Sequence, residues 1–138
     1  MTAFDLFPKS PFLQLVGGRI DEWTEGCVRL SLPVEARHAN PHGVMHGGVV
    51  TTLMDEAAGQ VVTAARGIEE TMAAPHATVE MNVSFLSGAR EGDELVVEGR
   101  VLKLGRTVAF SEAEVRRRSD DAVVAVGRFT FTIKGQGG

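Results

Sequence analysis

The sequence predicts an α+β domain in which five or six mostly antiparallel strands wrap around one long apolar helix. Three observations point there. Residues 46–66 place Val50, Leu53, Met54, Ala57, Val61, Ala64 and Ala65 at helical spacing. Several other segments alternate apolar with polar residues, the period of two that marks half-buried strands. Between the last two of these, Ser119-Asp120-Asp121 is a hairpin signal, which makes them antiparallel.

The elements follow in chain order. Pro11 to Val16 is apolar and stops at Gly17-Gly18, a short helix with a glycine end. From Val28, apolar residues alternate through Leu30, Leu32 and Val34 as a strand. Residues 35–45 carry Pro41 and Gly43 and read as a loop. The long helix comes next, and Gly67 ends it. Then Ala77, Val79, Met81, Val83 and Phe85 alternate with Thr78, Glu80, Asn82 and Ser84. Leu95, Val97, Gly99 and Val101 alternate in the same way, and residues 107–117 and 121–133 complete the strands. The tail Gly135-Gln136-Gly137-Gly138 reads as disordered. A lone helix covers one face of such a sheet, so the other face or an exposed edge is expected to pair with a second chain.

The bulk numbers narrow the function. At 138 residues, one domain spanning 1–138 is expected, large enough for a core without staples. A single cysteine, Cys27, cannot form an internal disulfide, which favours a reducing compartment and a cytoplasmic protein. The net charge of −4 offers no basic footprint for nucleic acid. No apolar run is long enough to span a membrane, and the first residues lack the pattern of a signal peptide.

The chemistry concentrates in residues 38–59. Gly47-Gly48 opens the long helix with backbone N–H groups that no side chain shields, at the end carrying partial positive charge. Such a start suits an anion or a developing oxyanion. Asp55 lies two turns on, in a nearly apolar helix where an unpaired charge is costly. Thr51 and Gly59, one turn to either side, leave a groove beside the carboxylate.

With Asn40 in the loop, His46-Gly47-Gly48 opening the helix and Asp55 eight residues past Gly47, this stretch resembles the hotdog-fold thioesterases of the phenylacetate-degradation type. The resemblance extends to Asn40-Pro41-His42-Gly43, to the strand Thr78–Phe85 and to the Gly105-Arg106 turn. It implies a hotdog fold and hydrolysis of an acyl or aryl-acyl coenzyme A thioester; no cofactor and no metal are expected. It further implies that the Gly47 N–H polarises the thioester carbonyl, that Asp55 acts as general base or nucleophile, and that Asn40 orients water or thioester. His46 would support the loop, Thr78 would sit near the attacking water, and Gly48 would border the substrate. Coenzyme A carries phosphates, and Arg90 and Arg106, near turns that meet such groups in the family, are the candidate partners. Eight residues span about 12 Å of helix, so one carbonyl cannot touch both Gly47 and Asp55 of the same chain. Two sites shared across a homodimer, or within a homotetramer, are therefore expected.

Plainer readings stand beside these. Asp55 also fits a structural ion pair, Gly47-Gly48 close helix–sheet contact, Asn40 a turn before proline, and Thr78 simple exposure on a polar strand face. Glu56 points about 100° away from Asp55 and reads as solvated or ion-paired. His38, His42 and His46 recur every four residues, but Pro41 and Gly43 break any helix that would align them on a metal. Arg116-Arg117-Arg118 reads as a solvated turn. Two other functions use the same fold or the same groove: a 3-hydroxyacyl-thioester dehydratase pairing His42 with Glu56, and a non-catalytic acyl-CoA binding protein.

Overall fold

The structure is a computed structural model and describes residues 10–134. The expectation for the tail lies outside the described residues. In chain order the elements are α1 (Pro11–Val16), β1 (Arg19–Trp23), β2 (Val28–Pro33), a 3-10 turn (Ala36–His38), α2 (Gly47–Arg66), α3 (Ile68–Ala73), β3 (His76–Phe85), β4 (Glu94–Leu104), β5 (Val108–Arg117) and β6 (Val123–Ile133).

The six strands form one antiparallel sheet in the order β1-β2-β4-β5-β6-β3. Helix α2 lies along one face, chiefly over β4, β5 and β2. Its apolar stripe of Val50, Leu53, Met54, Ala57, Ala58, Val61 and Val62 is buried against Leu30, Leu32, Leu95, Val97, Val115 and Phe129. This is the hotdog arrangement. Helix and sheet touch so closely at Gly99 that a Cβ there would stand 2.5 Å from the Ala57 carbonyl oxygen, which glycine alone avoids. The buried Ser111 hydroxyl ties the same two layers by donating to the Ala58 carbonyl at 3.1 Å.

Local chemistry explains the boundaries. Ser10 caps α1 through the Leu13 N–H, and Gly17 closes it in the left-handed conformation (φ 89°). His46 caps α2, and Gly67 follows it. Asp121, at φ 58°, turns the β5–β6 hairpin. Two elements escape the sequence pattern. β1 is a five-residue edge strand with charged residues at Arg19, Asp21 and Glu22. α3 is a six-residue helix starting directly after Gly67.

β3 forms the other edge of the sheet. Val79, Met81, Phe85 and Leu86, on or just after it, are exposed apolar side chains. No described helix is long and apolar enough to cross a membrane.

Candidate active site

The loop before α2 is rigidly tied. His38 is buried; its Nδ1 accepts the Glu35 N–H, so its Nε2–H donates to the Val16 carbonyl at 2.6 Å. Both ring nitrogens are thereby committed. The His38 carbonyl accepts the His46 N–H, and Met45 N–H donates to Ala89. Asn40 Oδ1 accepts from the His42 and Val44 N–H groups at 2.9 and 3.2 Å. Both neighbours are donors, which fixes the carboxamide with its oxygen on the loop and its NH2 without a partner among the described residues. Asn40 therefore forms the turn through its side-chain oxygen alone.

At the helix start, His46 Nδ1 accepts the Gly48 N–H at 2.8 Å. The Gly48 amide is therefore spent on the cap. The Gly47 N–H has no partner among the described residues and remains the free donor of the pair. Phe85 closes over this point, with ring atoms 3.4 Å from where a Gly47 Cβ would stand. Thr51 directs its hydroxyl back to the Gly47 and Gly48 carbonyls at 3.2 and 3.0 Å, so it offers the groove its methyl rather than its hydroxyl.

Two turns on, Asp55 is half-buried, and Thr78 Oγ1 donates to its Oδ1 at 2.7 Å. Strand alternation alone put Thr78 on the polar face with Glu80 and Asn82. A bulge corrects that: Thr78 pairs with Phe131, but Glu80 pairs with Thr130, so Val79 is the extra residue. The bulge shifts the phase of β3 and turns Thr78 towards α2. Oδ2 of Asp55 has no hydrogen-bond partner among the described residues.

Asp55 and Thr78 border a cavity of about 260 Å³. Gly59, Pro75, His76 and Phe131 form much of its wall. His76 crosses the Phe131 ring edge-on, with centroids 5.4 Å apart. Arg66 can only donate to its Nδ1, so Nε2–H donates to the Gly59 carbonyl at 3.0 Å. Burial holds its pKa below the ordinary 6.5; the Gly59 bond opposes this and the Arg66 charge adds to it. Glu56 also borders the cavity, where Ser10 Oγ donates to it at 2.6 Å. Among the described residues it carries no ion pair, and it is half-buried.

The arginines divide cleanly. Arg116 meets Glu114 and Asp121, Arg117 meets Asp120 and the Gly88 carbonyl, and Arg118 meets Glu94. The triple-arginine run is thus an ion-paired turn. The guanidinium groups of Arg90, Arg106 and Arg128 carry no hydrogen bond or ion pair to any described residue. Arg90 lines a cleft of about 680 Å³ with Val44, Gly88 and Asp93, beside the Asn40 loop. Arg106 lies at the β4–β5 turn, at the opposite end of β4. Eleven residues of strand separate them, on the order of 35 Å. One chain therefore cannot bring both to a single coenzyme.

His42 is exposed, has no side-chain partner among the described residues and does not line the cavity with Glu56, so nothing joins the dehydratase pair within the chain. Among the described residues, no group of three or more His, Cys, Asp or Glu is placed to hold a metal ion. Sequence reasoning missed Gln60 and Thr71, both buried in the cavity wall. A glutamine on the apolar stripe of α2 was a readable signal; nothing marked Thr71.

A helix wrapped by an antiparallel sheet, with a glycine-opened helix start and a carboxylate two turns on, is the plan of a thioester-handling protein. The sequence model of the thioesterase superfamily matches residues 42–132, and the chain belongs to that family. Human acyl-coenzyme A thioesterase 13 is 33% identical over 106 residues, covering 76% of this chain and 71% of the relative. A Pseudomonas aeruginosa protein provisionally named an esterase is 36% identical and covers 93% of this chain and 92% of its own length. Among solved structures, a conserved protein from Pseudomonas aeruginosa superposes with a TM-score of 0.85 at 31% identity, covering 96% of this chain and 99% of that one. Zebrafish thioesterase superfamily member 2 gives 0.79 at 28% identity, covering 92% and 89%.

Proposed function

We propose that the protein is an acyl-coenzyme A thioesterase, releasing free acid and coenzyme A, with Asp55 as general base or nucleophile. The observation that carries this reading is the Asp55–Thr78 pair in the cavity wall. Thr78 holds one carboxylate oxygen and leaves the other to meet water or the thioester carbon. The free Gly47 N–H suits the carbonyl oxygen as it becomes an oxyanion, and collapse of that intermediate expels the coenzyme A thiolate. The unpaired NH2 of Asn40 is a second donor for the same oxygen. The relationship to acyl-coenzyme A thioesterase 13 supports the substrate class.

The site is completed by a second copy of the chain. Gly47 and Asp55 stand about 12 Å apart along one helix. An antiparallel partner helix sets the partner's Gly47 and Asn40 opposite Asp55 and Thr78. The same two-fold axis carries the partner's Arg90 towards the end of the sheet that holds Arg106, where both can meet coenzyme A phosphates. The exposed apolar residues of β3 on a free sheet edge favour pairing there. A homodimer is the minimal unit of this reading, a homotetramer of two such dimers is compatible with it, and a cytoplasmic location is part of it.

Thiol release from short, medium, long and aromatic acyl-coenzyme A substrates is the test. The reading predicts turnover of at least one class. Absence of thiol release from all of them, with crotonyl-coenzyme A hydrated instead, would replace it with the dehydratase.

A further inference from the structure

We propose that His76 is a positioning residue for the reaction at Asp55: its bond to the Gly59 carbonyl sets β3 against α2 and so places the Thr78 hydroxyl on the carboxylate. The inference rests on the thioesterase reading and adds a residue to it.

Thr78 and His76 each bond from β3 to α2. Thr78 Oγ1 donates to Asp55 Oδ1 at 2.7 Å, and His76 Nε2–H donates to the Gly59 carbonyl at 3.0 Å. Asp55 and Gly59 are four residues apart, about 6 Å along the helix and on one of its faces. His76 and Thr78 are two residues apart on one face of the strand, about 6.6 Å. The two spacings agree, and helix and strand run in opposite senses, so the bonds form two rungs of one ladder. The strand between the rungs is regular: His76, Ala77 and Thr78 pair in unbroken register with Ile133, Thr132 and Phe131.

The second rung has something to hold. β3 is an edge strand, hydrogen-bonded within the chain to β6 alone, and its bulge at Val79 directly follows Thr78. Such a strand is laced on one side and irregular just past the hydroxyl that matters. A misplacement of about 1 Å near a reacting group can cost on the order of 10² in rate. His76 fixes Thr78 from the side away from the bulge. The ring is fixed in turn. Arg66 donates to its Nδ1 at 2.9 Å and to the Ala74 carbonyl at 2.7 Å, which keeps the ring proton on Nε2, and Phe131 meets the ring edge-on. Both ring nitrogens are used within the chain, so His76 reaches the reaction through Thr78 and takes no part in proton transfer.

The experiment uses the full chain carrying His76→Gln, His76→Asn or His76→Phe, each alone and in the Thr78→Val background. Glutamine can set an amide N–H near the place of Nε2. Asparagine, one methylene shorter, reaches only the place of Nδ1, and phenylalanine keeps the ring without a donor. The readouts are steady-state kinetics and the carboxyl carbon NMR signal of Asp55, assigned by its loss in Asp55→Asn. We expect His76→Asn and His76→Phe to lower kcat about as far as Thr78→Val does, with KM within about twofold, and His76→Gln to stay within about twofold of wild type. In the Thr78→Val background the same substitutions should lower kcat by no more than about a further twofold, because the contact they disturb is already gone. The carboxyl signal should move in His76→Asn to its Thr78→Val position and keep its wild-type position in His76→Gln. Equal kcat for the asparagine and glutamine variants would overturn the proposal. So would losses that multiply with Thr78→Val, or a carboxyl signal that His76→Asn leaves in place. If no acyl-coenzyme A releases thiol, the thioesterase reading fails, and the carboxyl signal still decides whether His76 places Thr78. Should His76→Phe not fold, the asparagine and glutamine variants alone separate these outcomes.

Discussion

Thr78 reaches Asp55 because β3 bulges at Val79. Strict alternation would send its hydroxyl to the opposite face, so the single extra residue decides where the hydroxyl goes. That contact was not legible in the sequence, since a bulge without a glycine leaves the period-two pattern apparently intact. Asp55 itself was legible, because an acid inside an apolar helix stands out against its neighbours. We predict that Asp55→Asn lowers kcat by about 10² or more, as for loss of an essential base or nucleophile. Thr78→Val should lower kcat less, with little change in KM. Steady-state kinetics on folded variants checks both, and near wild-type turnover in Asp55→Asn would remove this carboxylate from the mechanism.

A second residue-scale prediction concerns acid. His76 is held below its ordinary pKa of 6.5, chiefly by burial. The folded protein therefore binds fewer protons than the unfolded chain once pH falls below about 6.5. Stability from this group is complete above that value and declines as pH drops through it towards the folded pKa. Asp120, lowered to about 2 from 3.8 by Arg117, acts in a separate and more acidic window. Urea unfolding between pH 8 and 5 should show the decline in the wild type and a shallower one in His76→Gln. Identical slopes would assign the pH dependence to other groups.

At the scale of elements, α2 was readable from end to end, because apolar spacing, an opening Gly-Gly and a closing Gly67 agree. The five strands with clear alternation were readable too. β1 was not, since Arg19, Asp21 and Glu22 on a sheet edge leave few apolar positions to mark it. α3 is too short for its period to register. The Asn40 loop was recognisable as a motif, but its division of labour was not: oxygen on the loop, NH2 free. Turns also place the free arginines. If Arg90 and Arg106 meet coenzyme A phosphates, alanine at either should raise KM for acyl-coenzyme A, less so at high salt. A pantetheine thioester, which lacks the nucleotide, should be almost unaffected. Equal losses on both substrates would make these arginines structural.

At the scale of the molecule, the sheet and helix determine what one chain cannot do. The free Gly47 amide and the Asp55 carboxylate lie on one helix about 12 Å apart, and both must converge on one carbonyl. A two-fold partner solves this, and the apolar edge at β3 gives it a surface. The central claim is therefore that each site is built from two chains. Co-refolding two inactive variants, Asp55→Asn and Asn40→Ala, measures it most directly. Asn40 travels with Gly47, so a mixed dimer has one site bearing both lesions and one bearing neither. Statistical pairing predicts recovery of up to about a quarter of wild-type activity. Mixtures that form heterodimers yet stay as inactive as their parents would place each site within a single chain and contradict the account.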